Sequence, residues 1–187
     1  AAVEHWYDVD LCHYSGQPYR KGLLYTHSVD HVSGQPVPSH QWVEGFLDYY
    51  HLTGSPYGLE AARSIGQGLL KLMELPIYHA TDTVEPRQIG WAMRTFMALY
   101  RETWEQKWLD ACEPIVKVYL KWAEELGTWT TPYPDNYMDR VPFMMHVGIV
   151  GLYQYDQVCP SREIKQTMIN VVDDMIRYCY IPRADVF

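Results

Sequence analysis

A chain of 187 residues is long enough to bury one sizeable core and does not require a second domain. Its formal net charge of -8, with an isoelectric point near 5.4, excludes a general binder of nucleic acid or anionic membrane, which needs a concentrated basic surface. No apolar stretch approaches the length of a membrane span, and the opening AAVEHWYD lacks the basic and apolar regions of a signal peptide.

Residues 1–38 read irregularly: an apolar start from Trp6 to Tyr14, a turn at Ser15-Gly16-Gln17-Pro18 and a His-rich loop from His27 to Pro38, together a degenerate hairpin. From Ser39, a candidate N-cap, the residues Trp42, Val43, Phe46, Leu47, Tyr49 and Tyr50 recur at helical spacing. Thr53-Gly54 ends that helix and Ser55-Pro56 opens a second, with Leu59, Ala62, Gly66, Leu69 and Met73 on one stripe up to Pro76. This predicts a helical hairpin over 39–76. A second follows over 85–126, opened by Pro86, with Pro114 expected to kink its second helix or delay its start. A third runs over 142–180, from Pro142 through the turn at Cys159-Pro160-Ser161. The repeat of about fifty residues exceeds the 34 of a tetratricopeptide array, and its first helices are too apolar for a solenoid's solvent face. Two layers of helices fit better, in an all-α array of antiparallel helical hairpins.

Seven Trp and sixteen Tyr are a surplus at this size. Large cores use such residues, and so do sugar sites, where a flat ring packs on a pyranose while its edge keeps a polar handle. Cys12, Cys112, Cys159 and Cys179 show neither zinc-motif nor disulfide-framework spacing and read as small buried hydrophobes.

The stretch His40-Gln41-Trp42-Val43-Glu44-Gly45, then Asp48-Tyr49-Tyr50, Leu52-Thr53-Gly54-Ser55-Pro56 and Leu59-Glu60-Ala61-Ala62, resembles a hairpin of α/α-toroid (six-hairpin) carbohydrate-active enzymes. The nearest likeness is to bacterial rhamnogalacturonan exolyase-like (YetA-like) proteins, tightest over about residues 25–75. A complete six-hairpin toroid at this repeat needs roughly 300 residues. The resemblance therefore implies a partial toroid, acting with other domains of a longer chain. It also implies a carbohydrate substrate, an acidic polysaccharide or oligosaccharide, in a setting such as the periplasm or the cell exterior.

In such toroids the loops before the inner helices face a central funnel, and that placement selects the candidate residues. A lyase acting on a uronic acid must neutralise the carboxylate, remove the C5 proton and protonate the leaving oxygen. His40 or His31 is the candidate base, Arg87 or Arg140 the carboxylate partner and Tyr25 or Tyr137 the acid, with His146 a further catalytic candidate from the third hairpin. A hydrolase would instead use carboxylates, for which Glu44 and Asp48 lie one helical turn apart and Asp30 or Asp135 could approach from a loop. Gln41, Trp42, Gln88 and Trp91 complete the candidate substrate contacts. A metal site at His27, His31 and His40 is the weaker reading, because Val29, Ser33 and Gly34 disfavour a helix there; no cofactor is expected. Elimination is favoured over hydrolysis, and a noncatalytic helical scaffold or glycan-binding domain is the alternative.

Overall fold

The computed structural model describes residues 2–26, 30 and 34–187. Proline sets the start of three of its long helices. Pro56, Pro86 and Pro142 each occupy the first turn, where a missing N–H costs nothing and a fixed φ favours the helix. The chain runs α1 (Ala2–His5), a single π-helical turn (Trp6–Asp10), α2 (Glu44–Thr53), α3 (Pro56–Leu72), α4 (Pro86–Thr103) and α5 (Gln106–Leu126). It continues through a small antiparallel pair, β1 (Thr131–Tyr133) with β2 (Tyr137–Asp139), to α6 (Pro142–Asp156) and α7 (Arg162–Tyr178). The described residues are thus mostly helical, as the hairpin periodicity predicts.

The first two long hairpins turn in the same way. Gly54 closes α2 at φ 71° and Trp104 closes α4 at φ 56°, both left-handed. The threonine before each donates its hydroxyl back up the helix, Thr53 to the Tyr49 carbonyl at 2.6 Å and Thr103 to the Leu99 carbonyl at 2.8 Å. Each hydroxyl also accepts from the N–H two residues on. Glycine takes this conformation without strain, whereas Trp104 holds it while three-quarters exposed. In the third hairpin Ser161 caps α7, accepting from the Ile164 N–H.

Each hairpin puts its first helix in one layer and its second in the other. Glu44 pairs with Arg94 at 3.2 Å and His51 with Glu102 at 2.8 Å, so α2 and α4 run in the same direction. Gly90 meets Gly148 near the start of α4 and α6, and Arg101 donates to the Gln154 carbonyl near their ends, so these two are also parallel. Behind them, α3, α5 and α7 form the second layer. The core lies between: Ile89, Ala92, Met93, Phe96, Met97 and Leu99 of α4 are fully buried, as are Trp108, Tyr119 and Trp122 of α5. A side chain buried to this extent contributes about 1.5–3 kcal/mol, so α4 is the helix around which the others are organised.

Three expectations are corrected. The first hairpin helix starts at Glu44, not Ser39: Pro38–His40 is a single 3-10 turn, and Gln41 leaves helical geometry because its side chain is tied inward. Residues 1–38 supply no second long helix among the described residues. Instead α1 and the π-helical turn lie against the first hairpin, with Trp6 5.8 Å from Phe46 and the Tyr49 hydroxyl donating to Glu4. Pro114 neither delays α5 nor ends it; the helix starts eight residues earlier and runs on to Leu126, with Pro114 on its exposed side.

That proline still deprives the Asp110 carbonyl of its helical donor. Pro114→Ala is expected to raise stability by about 1–3 kcal/mol, read as an increased urea midpoint at unchanged slope. An unchanged midpoint would show that the helix has already relaxed around the missing bond.

Candidate functional site

The segment entering α2 is built on one buried amide. Gln41 is fully buried; its Oε1 accepts from the Leu24 N–H at 2.8 Å, and its Nε2 donates to the Leu24 carbonyl at 3.0 Å and the Val37 carbonyl at 3.1 Å. The backbone of the same residue accepts from the Thr95 hydroxyl of α4. Ser39 is fixed from α4 as well, its N–H donating to Gln88 Oε1 at 3.0 Å. Gln41 and Gln88, both expected to contact substrate, therefore use these amide atoms to position the segment.

That positioning delivers an aromatic and charged strip to the open side of the first layer. The Trp42 indole N–H donates to the Ser39 carbonyl at 2.9 Å, which fixes the ring, and the side chain remains 38% exposed. His40 lies against it at 5.6 Å between ring centroids, its Nδ1 3.0 Å from the Ser39 hydroxyl. On the other side Trp42 meets Trp91 at 5.7 Å. The Arg94 guanidinium sits 4.0 Å over the Trp91 ring and reaches Glu44 at 3.2 Å. His40, Trp42, Trp91, Arg94 and Glu44 thus form one continuous strip.

Its continuation follows from helical spacing. Arg87, Trp91 and Arg94 stand at i, i+4 and i+7 on α4, one face of a helix whose opposite face is core. Arg87 pairs with Glu85 at 3.1 Å and lies 5.9 Å from the Phe143 ring of α6. His146 follows Phe143 by one turn and is exposed. Arg87 and Arg94 each have the Nε–H buried without a hydrogen-bond partner among the described residues, an arrangement that costs on the order of 1–3 kcal/mol per group. The far side of Trp42 borders an apolar cleft of about 290 Å³, walled by Trp6, Phe46 and Gly45.

Other candidates lie elsewhere. Arg140 makes a two-point ion pair with Asp174 of α7, at 2.6 and 3.1 Å, and stacks 4.6 Å over Tyr178. That carboxylate holds the guanidinium pKa above its ordinary value. Arg140 is therefore a tie between the two layers. Tyr137 is in β2 with its hydroxyl donating to Asp139 at 3.1 Å, which raises its pKa and keeps the phenol protonated. Tyr25 donates to Cys12 Sγ at 3.2 Å, Asp135 sits in the β1–β2 turn with φ 69°, and Asp48 is exposed on α2. His27 and His31 lie outside the described residues, so the proposed His27, His31 and His40 metal set cannot be assembled from geometry. Among the described residues no group of three or more His, Cys, Asp or Glu side chains is placed to hold a metal ion.

Glu85 and Phe143 were absent from the sequence-based candidates for substrate contact, whereas the sequence offers Arg94, with Arg87 and Arg140, as a cation able to make a cleft locally positive for an anionic substrate. Arg94 had a readable signal, because it shares the α4 face of Arg87 and Trp91. Phe143 had none, since its exposure depends on how α6 docks on α4. No protein-family model, curated protein or solved structure matches the chain. No helix among the described residues is long and apolar enough to cross a membrane.

Proposed function

We propose that the open side of the first helical layer binds an acidic saccharide, and that the chain is a carbohydrate-active domain of partial α/α-toroid architecture. The observation that carries this reading is the Trp42–Trp91 pair with Arg94 stacked on Trp91. Two partly exposed indoles offer apolar surface to pyranose rings, and the Arg94 guanidinium, 4.0 Å over the Trp91 ring, offers a planar partner for a uronate carboxylate. Arg87, next to Phe143, repeats the combination one turn away.

The reaction favoured for this site is β-elimination. His40 takes the C5 proton, its ring orientation set by Ser39 and Trp42, and Arg94 or Arg87 neutralises the uronate and so acidifies that proton. The C4–O bond breaks as the C4–C5 double bond forms, and the leaving oxygen takes its proton from the His40 imidazolium. In that scheme the saccharide carboxylate displaces Glu44 or Glu85 from its arginine. Hydrolysis fits less well, since Glu44, the hydrolytic candidate within the strip, is engaged in an ion pair with Arg94. The Glu44–Arg94 and Glu85–Arg87 ion pairs support the second reading, a module that binds the glycan without cleaving it.

The test pairs binding with product analysis on uronate-containing polysaccharides, including rhamnogalacturonan. Acidic oligosaccharide should quench tryptophan fluorescence, and Trp91→Ala should weaken that binding roughly tenfold, the equivalent of one lost stacking contact. Ultraviolet absorbance from an unsaturated uronate, lost in His40→Ala, establishes the lyase. Reducing ends without that absorbance transfer the chemistry to Glu44, and binding without product establishes the module. An unchanged fluorescence signal across the whole panel sinks the carbohydrate reading.

A further inference from the structure

The second and third hairpins can be superposed by sequence, because Pro86 and Pro142 open α4 and α6, and Gln106 and Arg162 open α5 and α7, both pairs 56 residues apart. At that offset Met93 and Met97 of α4 correspond to Ile149 and Tyr153 of α6, and Val116 and Leu120 of α5 to Val172 and Ile176 of α7. In the second hairpin Met93 and Met97 are fully buried, Val116 is 8% exposed and Leu120 is half-buried. In the third, Tyr153 at 55%, Val172 at 38% and Ile176 at 52% are open, and Ile149 is half-buried. Ile149, Tyr153 and Val172, with Ile169, border a groove of about 370 Å³ between the two helices, with Asp173 as its charged lining residue, and Ile176 lies one turn beyond Val172 on α7.

What covers the second hairpin's face is known. The third hairpin does so, and its first helix brings Gly148 and Gly151 against α4, close enough that a Cβ on Gly151 would lie 3.4 Å from Met93. The opposite end of the array has a cover of another kind, α1 and the π-helical turn, with Trp6 on Phe46 and Tyr7 on Tyr57.

We infer that the Ile149, Tyr153, Val172 and Ile176 face is a docking surface for a further helical hairpin of the same plan. That hairpin stacks as the next unit of the array, with small residues on its first helix where α6 carries Gly148 and Gly151. The inference rests on the equivalence of the hairpins and is independent of the carbohydrate reading. Each stacked unit in such an array gains stability chiefly from its neighbour's interface.

The test extends the whole chain by one unit, repeating residues 127–180 once after Tyr180. The extended chain should melt higher by roughly 5 °C or more, with slow amide exchange in the appended helices and across residues 169–176. Ile169→Glu with Ile176→Glu should leave the parent's melting temperature unchanged, because both side chains are exposed there, and should abolish the gain in the extended chain. The proposal is overturned if the appended helices exchange freely and the melting temperature stays at the parent's. Retention of the full gain by the doubly substituted extended chain overturns it too. So does self-association of the parent through Ile169 and Ile176 that persists after extension, because the occupant is then a second copy.

Discussion

Gly90→Val is expected to lower the unfolding free energy by about 3 kcal/mol or more, and Gly90→Ala by about 1–2 kcal/mol. A Cβ at this position would stand 2.9 Å from the Gly148 nitrogen, the Val147 carbonyl carbon and the Tyr119 hydroxyl. Two of these atoms are α6 backbone and cannot rotate away. The third is held by its 2.6 Å hydrogen bond to the Pro86 carbonyl, in a setting so buried that the phenol pKa is driven far upward. Helix propensity works the other way, favouring alanine over glycine by about 1 kcal/mol, and is outweighed by the steric cost. Gly45 provides the control. Nothing lies within 4 Å of its notional Cβ, so Gly45→Ala is expected to stabilise by up to about 1 kcal/mol. Opposite signs for these two helical glycines in chemical denaturation would establish that α4 and α6 meet through backbone. Equal effects would refute it.

The second large effect is expected at Gln41. Gln41→Ala removes one acceptor and two donor contacts at once, leaving the Leu24 N–H and carbonyl without their Gln41 partner in a buried setting and the Val37 carbonyl with the His40 N–H alone, at a cost of about 3 kcal/mol. Gln41→Glu keeps the shape and the acceptor but sets a carboxylate against two carbonyls. It should be at least as damaging at neutral pH and should recover partly as pH falls, because protonation removes the buried charge and restores one donor. The consequence reaches the candidate site, since Gln41 fixes the segment that carries His40 and Trp42. Saccharide binding should therefore weaken in Gln41→Ala even where the protein stays folded, a loss that a purely peripheral residue would not produce.

Much of the helical framework was readable because its signals are local. Pro86 and Pro142 in first turns, Gly54 past a helix end and the Cys159-Pro160-Ser161 turn before α7 each act within a few residues, so the sequence contains their partners. The start of α2 was misjudged for the converse reason. Ser39 has the chemistry of an N-cap, but its N–H is taken by Gln88 and its neighbour Gln41 by Leu24, contacts made 49 and 17 residues away. The β1–β2 pair was missed as well, two three-residue strands being too short for alternation to show.

The candidate site divides along the same line. His40, Trp42, Glu44 and Trp91 meet because they lie on or beside the α2 and α4 starts that the hairpin pattern defines. Gln41, Gln88 and Arg140 were chosen for residue type, and type does not reveal whether a polar group is already matched within the chain. Arg140 is the clearest instance, since only the packing of α7 brings Asp174 to it.

The glycine contact between α4 and α6 also couples the two halves of the candidate strip. In the first layer these helices approach until backbone touches backbone, whereas α5 and α7 behind them adjoin less extensively. Arg87, Trp91 and Arg94 share α4 with Gly90, and Phe143 and His146 share α6 with Gly148. A single methyl group at Gly90 would therefore push α6 off α4 and carry Phe143 away from Arg87.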